Sequence, residues 1–138
     1  MGRSNSSARA AGSSFERLIA DDARDSGFEN ADRMVKRGIH DAGDITGVYF
    51  GPHKVCLELK NTTRTDLPKW YGELETEKEN LQTGYGAVVW KRHGKGRADE
   101  QNVSMTWLQF KQYLAAMNEA YEENKALKAA LAIMTKEK

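Results

Sequence analysis

Cysteine, proline and long apolar runs are all scarce in this chain of 138 residues. Its single cysteine, Cys56, excludes an internal disulfide framework and a zinc centre built on several thiolates, which fits a reducing compartment. The two prolines, Pro52 and Pro68, fall where a turn and a helix start are expected. No apolar stretch approaches the roughly 20 residues needed to span a bilayer, and the N-terminus lacks the apolar segment of a signal peptide. Membrane roles are therefore set aside and a cytoplasmic location is expected. An excess of one charge is missing as well: 21 basic side chains face 20 acidic ones, so any nucleic-acid partner has to be argued from local clustering.

What is present suffices for one compact domain, since 39% of the residues are hydrophobic. Residues 1–12 hold Ser, Ala, Gly and Arg with no large apolar side chain after Met1, and read as a flexible arm. A single domain is expected over residues 13–138. Ser13 and Glu16 have capping-box spacing, and Phe15, Leu18, Ile19 and Ala23 follow at helical intervals toward Gly27. Asp44 to Phe50 looks like a strand, Gly51-Pro52-His53 a turn, and Val55 to Lys60 a return strand. On that strand Val55, Leu57 and Leu59 face one way and Cys56, Glu58 and Lys60 the other. A polar helix follows from Pro68 to Leu81, with Trp70, Leu74 and Leu81 as its apolar contacts. Ala87 to Trp90 reads as a buried strand, Val103 to Met105 as a short one, and the chain turns helical from about Trp107. The order implies an α/β fold, a central mixed sheet flanked by helices with a further helix at the C-terminus.

The chemistry concentrates in Gly43-Asp44, then thirteen residues, then Glu58-Leu59-Lys60. A three-residue hairpin loop would pair Phe50 with Lys54, Thr46 with Glu58 and Asp44 with Lys60, putting the charged side chains on one face. A slip of one residue would send Asp44 to the other face. Two carboxylates near a backbone carbonyl, that of Leu59, suit Mg²⁺, which takes hard oxygen ligands and keeps several waters. Lys60 beside them would orient or help deprotonate an attacking water and stabilise the transition state. Glu16 would complete the site from the first helix, with Ala20 and Ala23 leaving room on its face, and Asp41 is an auxiliary candidate.

Gly43-Asp44, Glu58-Leu59-Lys60 and the upstream Glu16 together resemble the PD-(D/E)xK nuclease superfamily (the restriction-endonuclease-like core), and within it the archaeal-type and bacteriophage Holliday junction resolvases. The resemblance covers roughly residues 13–91, with Gly43 standing where the motif has proline. It implies that Glu16, Asp44 and Glu58, with the Leu59 carbonyl, hold Mg²⁺ or Mn²⁺ and that Lys60 serves catalysis. It also implies a homodimer that nicks two strands of branched DNA in recombination or repair, in a bacterial or phage-infected cell. A repair or restriction-like nuclease acting on linear or single-stranded DNA, and a non-catalytic DNA-binding protein on the same fold, stay open beside it.

The segment Lys91, Arg92, His93, Lys95 and Arg97, loosened by Gly94 and Gly96, is suited to phosphate contact, joined by Arg37, His40, Arg64 and Lys69. Arg33, Lys36, Arg3 and Arg9 could add affinity. A solvated loop is the plain alternative for all of them. Trp70 and Trp90 are expected in the core rather than as base-stacking platforms. Along the last helix Phe110, Leu114, Met117, Tyr121, Leu127, Leu131 and Met134 share a side, but Asn124 and Lys128 interrupt it, so a clean coiled coil is not expected.

Overall fold

The computed structural model describes residues 2–136; Met1 of the expected arm and the last two residues of the expected domain lie outside them. In chain order the elements are α1 (Asn5–Asp25), β1 (Asp32–Arg33), β2 (Ile45–Thr46), β3 (Tyr49–Phe50), β4 (His53–Lys60), α2 (Leu67–Leu81), β5 (Tyr85–Trp90), β6 (Asn102–Ser104) and α3 (Trp107–Lys136). Short 3-10 turns cover Gly38–His40 and Ala98–Glu100. The chain divides into two compact units, Met1–Met105 and Thr106–Lys138. The first is an α/β unit with a mixed sheet in the order β1-β2-β4-β5-β6, β3 pairing with the start of β4. Strands β4 and β5 run parallel from Val55 opposite Tyr85 to Lys60 opposite Trp90, and the other pairings are antiparallel. No described helix is long and apolar enough to cross a membrane.

The expected arm of residues 1–12 is corrected: from Asn5 onward it belongs to α1. Ser4, not Ser13, caps the helix, its hydroxyl accepting from the Ser7 N–H at 3.2 Å. Ala8, Ala10 and Ala11 have the highest helix propensity of any residue and need no buried face to continue the turn. Arg3 also donates to the Asn61 carbonyl at 2.6 Å, and the Asn61 amide donates back to the Ala11 carbonyl at 3.4 Å, which ties this first part of α1 to the end of β4.

The strict alternation of β4 places its two sets of side chains on opposite helices. Leu57 and Leu59 pack toward α1 with Phe15, Ala20, Ile45 and Val89, while Cys56 packs toward α2 with Trp70, Leu74 and Val88. Trp70 is buried and its ring lies 5.9 Å from that of Trp90, so both tryptophans are structural. Ala20 is a core contact, which corrects the expectation that it opens space beside Glu16.

The hairpin register differs from expectation in an instructive way. The turn has two residues, so Phe50 pairs with His53 and Tyr49 with Lys54. That slip of one residue would by itself have reversed every later side chain on this arm. Further along, however, Ile45 pairs with Leu57 while the Val55 N–H still donates to the Val48 carbonyl. One extra residue is therefore accommodated around Gly47, a β-bulge that restores the original face. Only glycine fits there: φ is +80°, and a Cβ would stand 2.3 Å from the Asn30 carbonyl oxygen.

The second unit is α3 with the turn that enters it. The Gln109 N–H donates to the Thr106 hydroxyl at 3.1 Å, and the Trp107 and Phe110 rings stack one turn apart at 6.0 Å. Most large apolar residues along it, among them Met117, Tyr121, Leu127 and Leu131, are exposed.

Candidate functional site

Strands β4 and β5 end side by side, and the charged residues singled out by the sequence gather at that carboxyl-terminal edge. Open α/β sheets commonly place their sites there, because loops diverge and leave a crevice between strand ends. Glu58 and Lys60 come from the α2-facing side of β4, and Asp44 enters it from the residue just before β2. Its N–H donates to the Leu57 carbonyl at 2.8 Å, and its Oδ2 accepts from the Leu59 N–H at 2.7 Å. Asp44 thus lies beside Glu58 rather than opposite Lys60, two residues from the expected partner and for that reason on the expected face.

Asp44 and Glu58 are only 4% and 5% exposed, so any unbalanced charge on them is costly. Glu58 Oε1 stands 3.4 Å from Lys60 Nζ, but its Oε2 is buried without a hydrogen-bond partner. Glu77, which α2 delivers to the same place, also has a buried Oε2 without one. Burial, the adjacent Glu77 carboxyl and the charge of Asp44 push the Glu58 carboxyl well above the usual carboxylate range. Burial likewise raises Glu77, with Asp44 adding to it, although the adjacent Glu58 carboxyl opposes the shift. Neighbouring carboxyls that must hold protons to coexist are the arrangement a divalent cation relieves.

Glu16 reaches the site from the opposite side of the sheet. Its Oε2 accepts from Arg33 Nε at 3.0 Å, and its Oε1 lies 3.5 Å from Lys36 Nζ, which in turn bonds Asp44 Oδ1. Lys36 therefore joins Glu16 to Asp44. Burial alone would lower its pKa, but the bond to Asp44 and the charges of Asp44 and Glu16 outweigh burial and raise it. Among the described residues no three acidic, histidine or cysteine side chains already stand close enough to ligate one ion. The donor chemistry fits a hard cation all the same, since a buried Glu58 carboxyl oxygen has no partner and the adjacent Asp44 is bridged to Glu16 by a single ammonium.

Lys60 Nζ forms its shorter ion pair with Glu73 Oε2, at 2.6 Å. Burial by itself would lower its pKa, but the bond to Glu73 and the charges of Glu58 and Glu73 raise it above the ordinary lysine value. Lys60 is accordingly an ammonium across the neutral range, fit to stabilise negative charge or orient water and unfit to remove a proton there. Asp41, the auxiliary candidate, accepts from the Arg37 N–H through its Oδ1 in a local turn. Cys56 is a buried core thiol whose pKa is raised by burial first and then by the charges of Glu77, Glu58 and Asp44.

The basic segment Lys91–Arg97 begins at the site, the Lys91 N–H donating to the Lys60 carbonyl at 2.8 Å. It is less loose than its glycines suggest. Gln101 accepts from the Arg92 N–H at 2.8 Å and donates to the Lys95 and Arg97 carbonyls at 3.1 and 2.7 Å, bracing the loop from within. Arg92, His93, Lys95 and Arg97 are left exposed, as are Arg37, His40, Arg64 and Lys69.

Glu73, Glu77, Asn80 and Gln101 were not singled out from the sequence, and Lys36 was named there only as a cation that could add affinity for DNA. Glu73, Glu77 and Asn80 lie at positions 73, 77 and 80 of α2, one helical face, and that spacing was the available signal. Asn80 donates to the Ile39 and Asp41 carbonyls at 3.1 and 2.7 Å and so holds the loop before Asp44 against α2. Lys36 and Gln101 act across loops, where no periodicity marks them.

The raised Glu58 carboxyl has a consequence for stability. The folded state holds this proton above the unfolded value of 4.5, so the stability it contributes is present below that pH and is lost as pH rises toward the folded value. Glu58→Gln, neutral and of the same shape, is expected to escape that loss. With metal chelated, urea unfolding at pH 8 should find it more stable than wild type by about 2 kcal/mol, the gap closing near pH 4. A variant less stable than wild type at both pH values would show that the carboxyl is not strained. No protein-family model, curated protein or solved structure matches this chain.

Proposed function

We propose that this protein is a divalent-metal-dependent DNA endonuclease of the PD-(D/E)xK kind. Glu16, Asp44, Glu58 and the Leu59 carbonyl would hold Mg²⁺, with Mn²⁺ able to substitute, and Glu77 is an added candidate. The observation that carries the proposal is the buried, unpartnered Glu58 oxygen beside Asp44, with the Lys60 ammonium on the other Glu58 oxygen. When bound, the cation would neutralise charge at a scissile phosphate and acidify a water.

The protein's own residues do the rest. The Leu59 N–H fixes the orientation of Asp44. Glu73 holds the Lys60 ammonium beside Glu58, where it would stabilise charge developing on phosphate oxygens. The braced loop carrying Arg92, His93, Lys95 and Arg97 starts at the Lys91 N–H on the Lys60 carbonyl and would position the nucleic-acid backbone without reading sequence.

Branched DNA as the substrate, and a homodimer that nicks two strands, rest on the resemblance to Holliday junction resolvases. Two-fold pairing would supply two copies of the site for two strands. The discriminating experiment incubates purified protein and Mg²⁺ with four-way junction, nicked, flapped and linear DNA. Paired nicks confined to the junction are the expected result. Equal cutting of all four substrates would leave a nuclease without junction specificity, and no cutting with any divalent metal would favour a non-catalytic DNA-binding protein.

A further inference from the structure

The Lys36 ammonium stands where carboxylates from two separate elements converge. Asp44 gives Oδ2 to the Leu59 N–H and turns Oδ1 to Lys36. Glu16 gives Oε2 to Arg33 and turns Oε1 to Lys36 at 3.5 Å. Each carboxylate thus has one oxygen fixed by a framework donor and the other directed at the same nitrogen. Glu58, whose buried Oε2 has no partner, lies next to Asp44. Hard oxygens converging from a helix and from the entry to a strand are ligands a divalent cation takes, and here two of them meet a single positive charge on a long aliphatic stem.

The setting of Lys36 differs from that of Lys60. Lys60 is 20% exposed and locked to Glu73 at 2.6 Å, whereas the Lys36 side chain is 54% exposed. Its chain segment is anchored on both sides, by the Met34 N–H on the Asp44 carbonyl at 2.9 Å and by the Arg37 N–H on Asp41. Between these anchors Val35 and Lys36 are exposed, so the ammonium can swing into water without opening the core.

We propose that Lys36 is a tethered counter-cation, which holds Glu16 and Asp44 together while no divalent cation is bound and withdraws when one binds. The inference rests on the proposed metal site and adds its regulation. Two opposed effects follow. Lys36 stabilises the metal-free fold by separating carboxylates that would otherwise repel, and it weakens metal binding because its ion pairs have to be broken first.

Calorimetric titration of the full chain with Mn²⁺, in the absence of DNA, tests this on wild type, Lys36→Met and Asp44→Asn, with thermal melts of the chelated proteins alongside. Lys36→Met is expected to bind Mn²⁺ about tenfold more tightly than wild type, the size of one partly exposed ion-pair arrangement removed from competition. Metal-free Lys36→Met should melt below metal-free wild type, and saturating Mn²⁺ should narrow that difference. If Asp44→Asn loses binding while Lys36→Met binds no more tightly than wild type, the exchange is overturned and the metal site stands. If neither wild type nor Lys36→Met binds Mn²⁺, the metal site itself falls and the exchange with it.

Discussion

Asp44→Asn is expected to lower Mg²⁺-dependent DNA cleavage on the order of a thousandfold while leaving DNA binding in chelator close to that of wild type. Asp44 is the side chain on which the site converges. Its backbone N–H is held by the Leu57 carbonyl, its Oδ2 by the Leu59 N–H, and its Oδ1 faces Lys36. Asparagine keeps the shape, and its amide oxygen can still accept from Leu59, so the hairpin should persist. What is lost is the negative charge that a divalent cation requires. DNA affinity should persist because the cations that would contact phosphate, Arg92, His93, Lys95 and Arg97, lie on the loop braced by Gln101. Gel-shift and cleavage assays on the same preparations separate the two effects, and an Asp44→Asn protein that cuts at the wild-type rate would remove the nuclease proposal.

Lys60→Met should reduce turnover by about a hundredfold or more with metal affinity no weaker than wild type. The ammonium is held between Glu73 Oε2 at 2.6 Å and Glu58 Oε1 at 3.4 Å, and stays charged across the neutral range. Under the nuclease proposal a permanent positive charge at that position would contribute by meeting negative charge on the phosphate, an effect expected in kcat. Removing it takes away repulsion toward a divalent cation, so Mn²⁺ should bind as well or better. Loss of metal affinity parallel to the loss of turnover would instead mean that Lys60 holds Glu58 in place. A double variant with Glu73→Gln separates these readings: if Lys60 acts on the phosphate, neutralising Glu73 as well should restore no turnover.

The site and the fold were legible to different degrees. Glu58 and Lys60 could be named because the sequence of β4 alternates strictly, and Asp44 because thirteen residues able to form one hairpin separate it from Glu58. Glu16 could be named from its place on α1, although it reaches Asp44 only through Lys36. The start of α1 was misplaced because its first turns carry no apolar periodicity and are held instead by the distant pair Arg3 and Asn61. Strand β1 escaped notice because two residues are too few for any period, and it exists through its pairing with β2. For the outward charges Arg37, His40, Arg64 and Lys69, the structure adds exposure and nothing that selects a ligand.

By itself the sequence determined which residues carry charge into an apolar strand, the helix, hairpin, helix, strand order, and the core roles of Trp70 and Trp90, because these follow from local periodicity and side-chain chemistry. Only the tertiary structure decided that the bulge at Gly47 returns Asp44 to the face of Glu58 after the turn had shifted it. It alone also placed Lys36 between Glu16 and Asp44, and Glu77 against Glu58. The physical reason is that strand parity counts every residue through the turn and bulge. Ion pairs across loops depend on where separate elements pack, which no single stretch of chain contains.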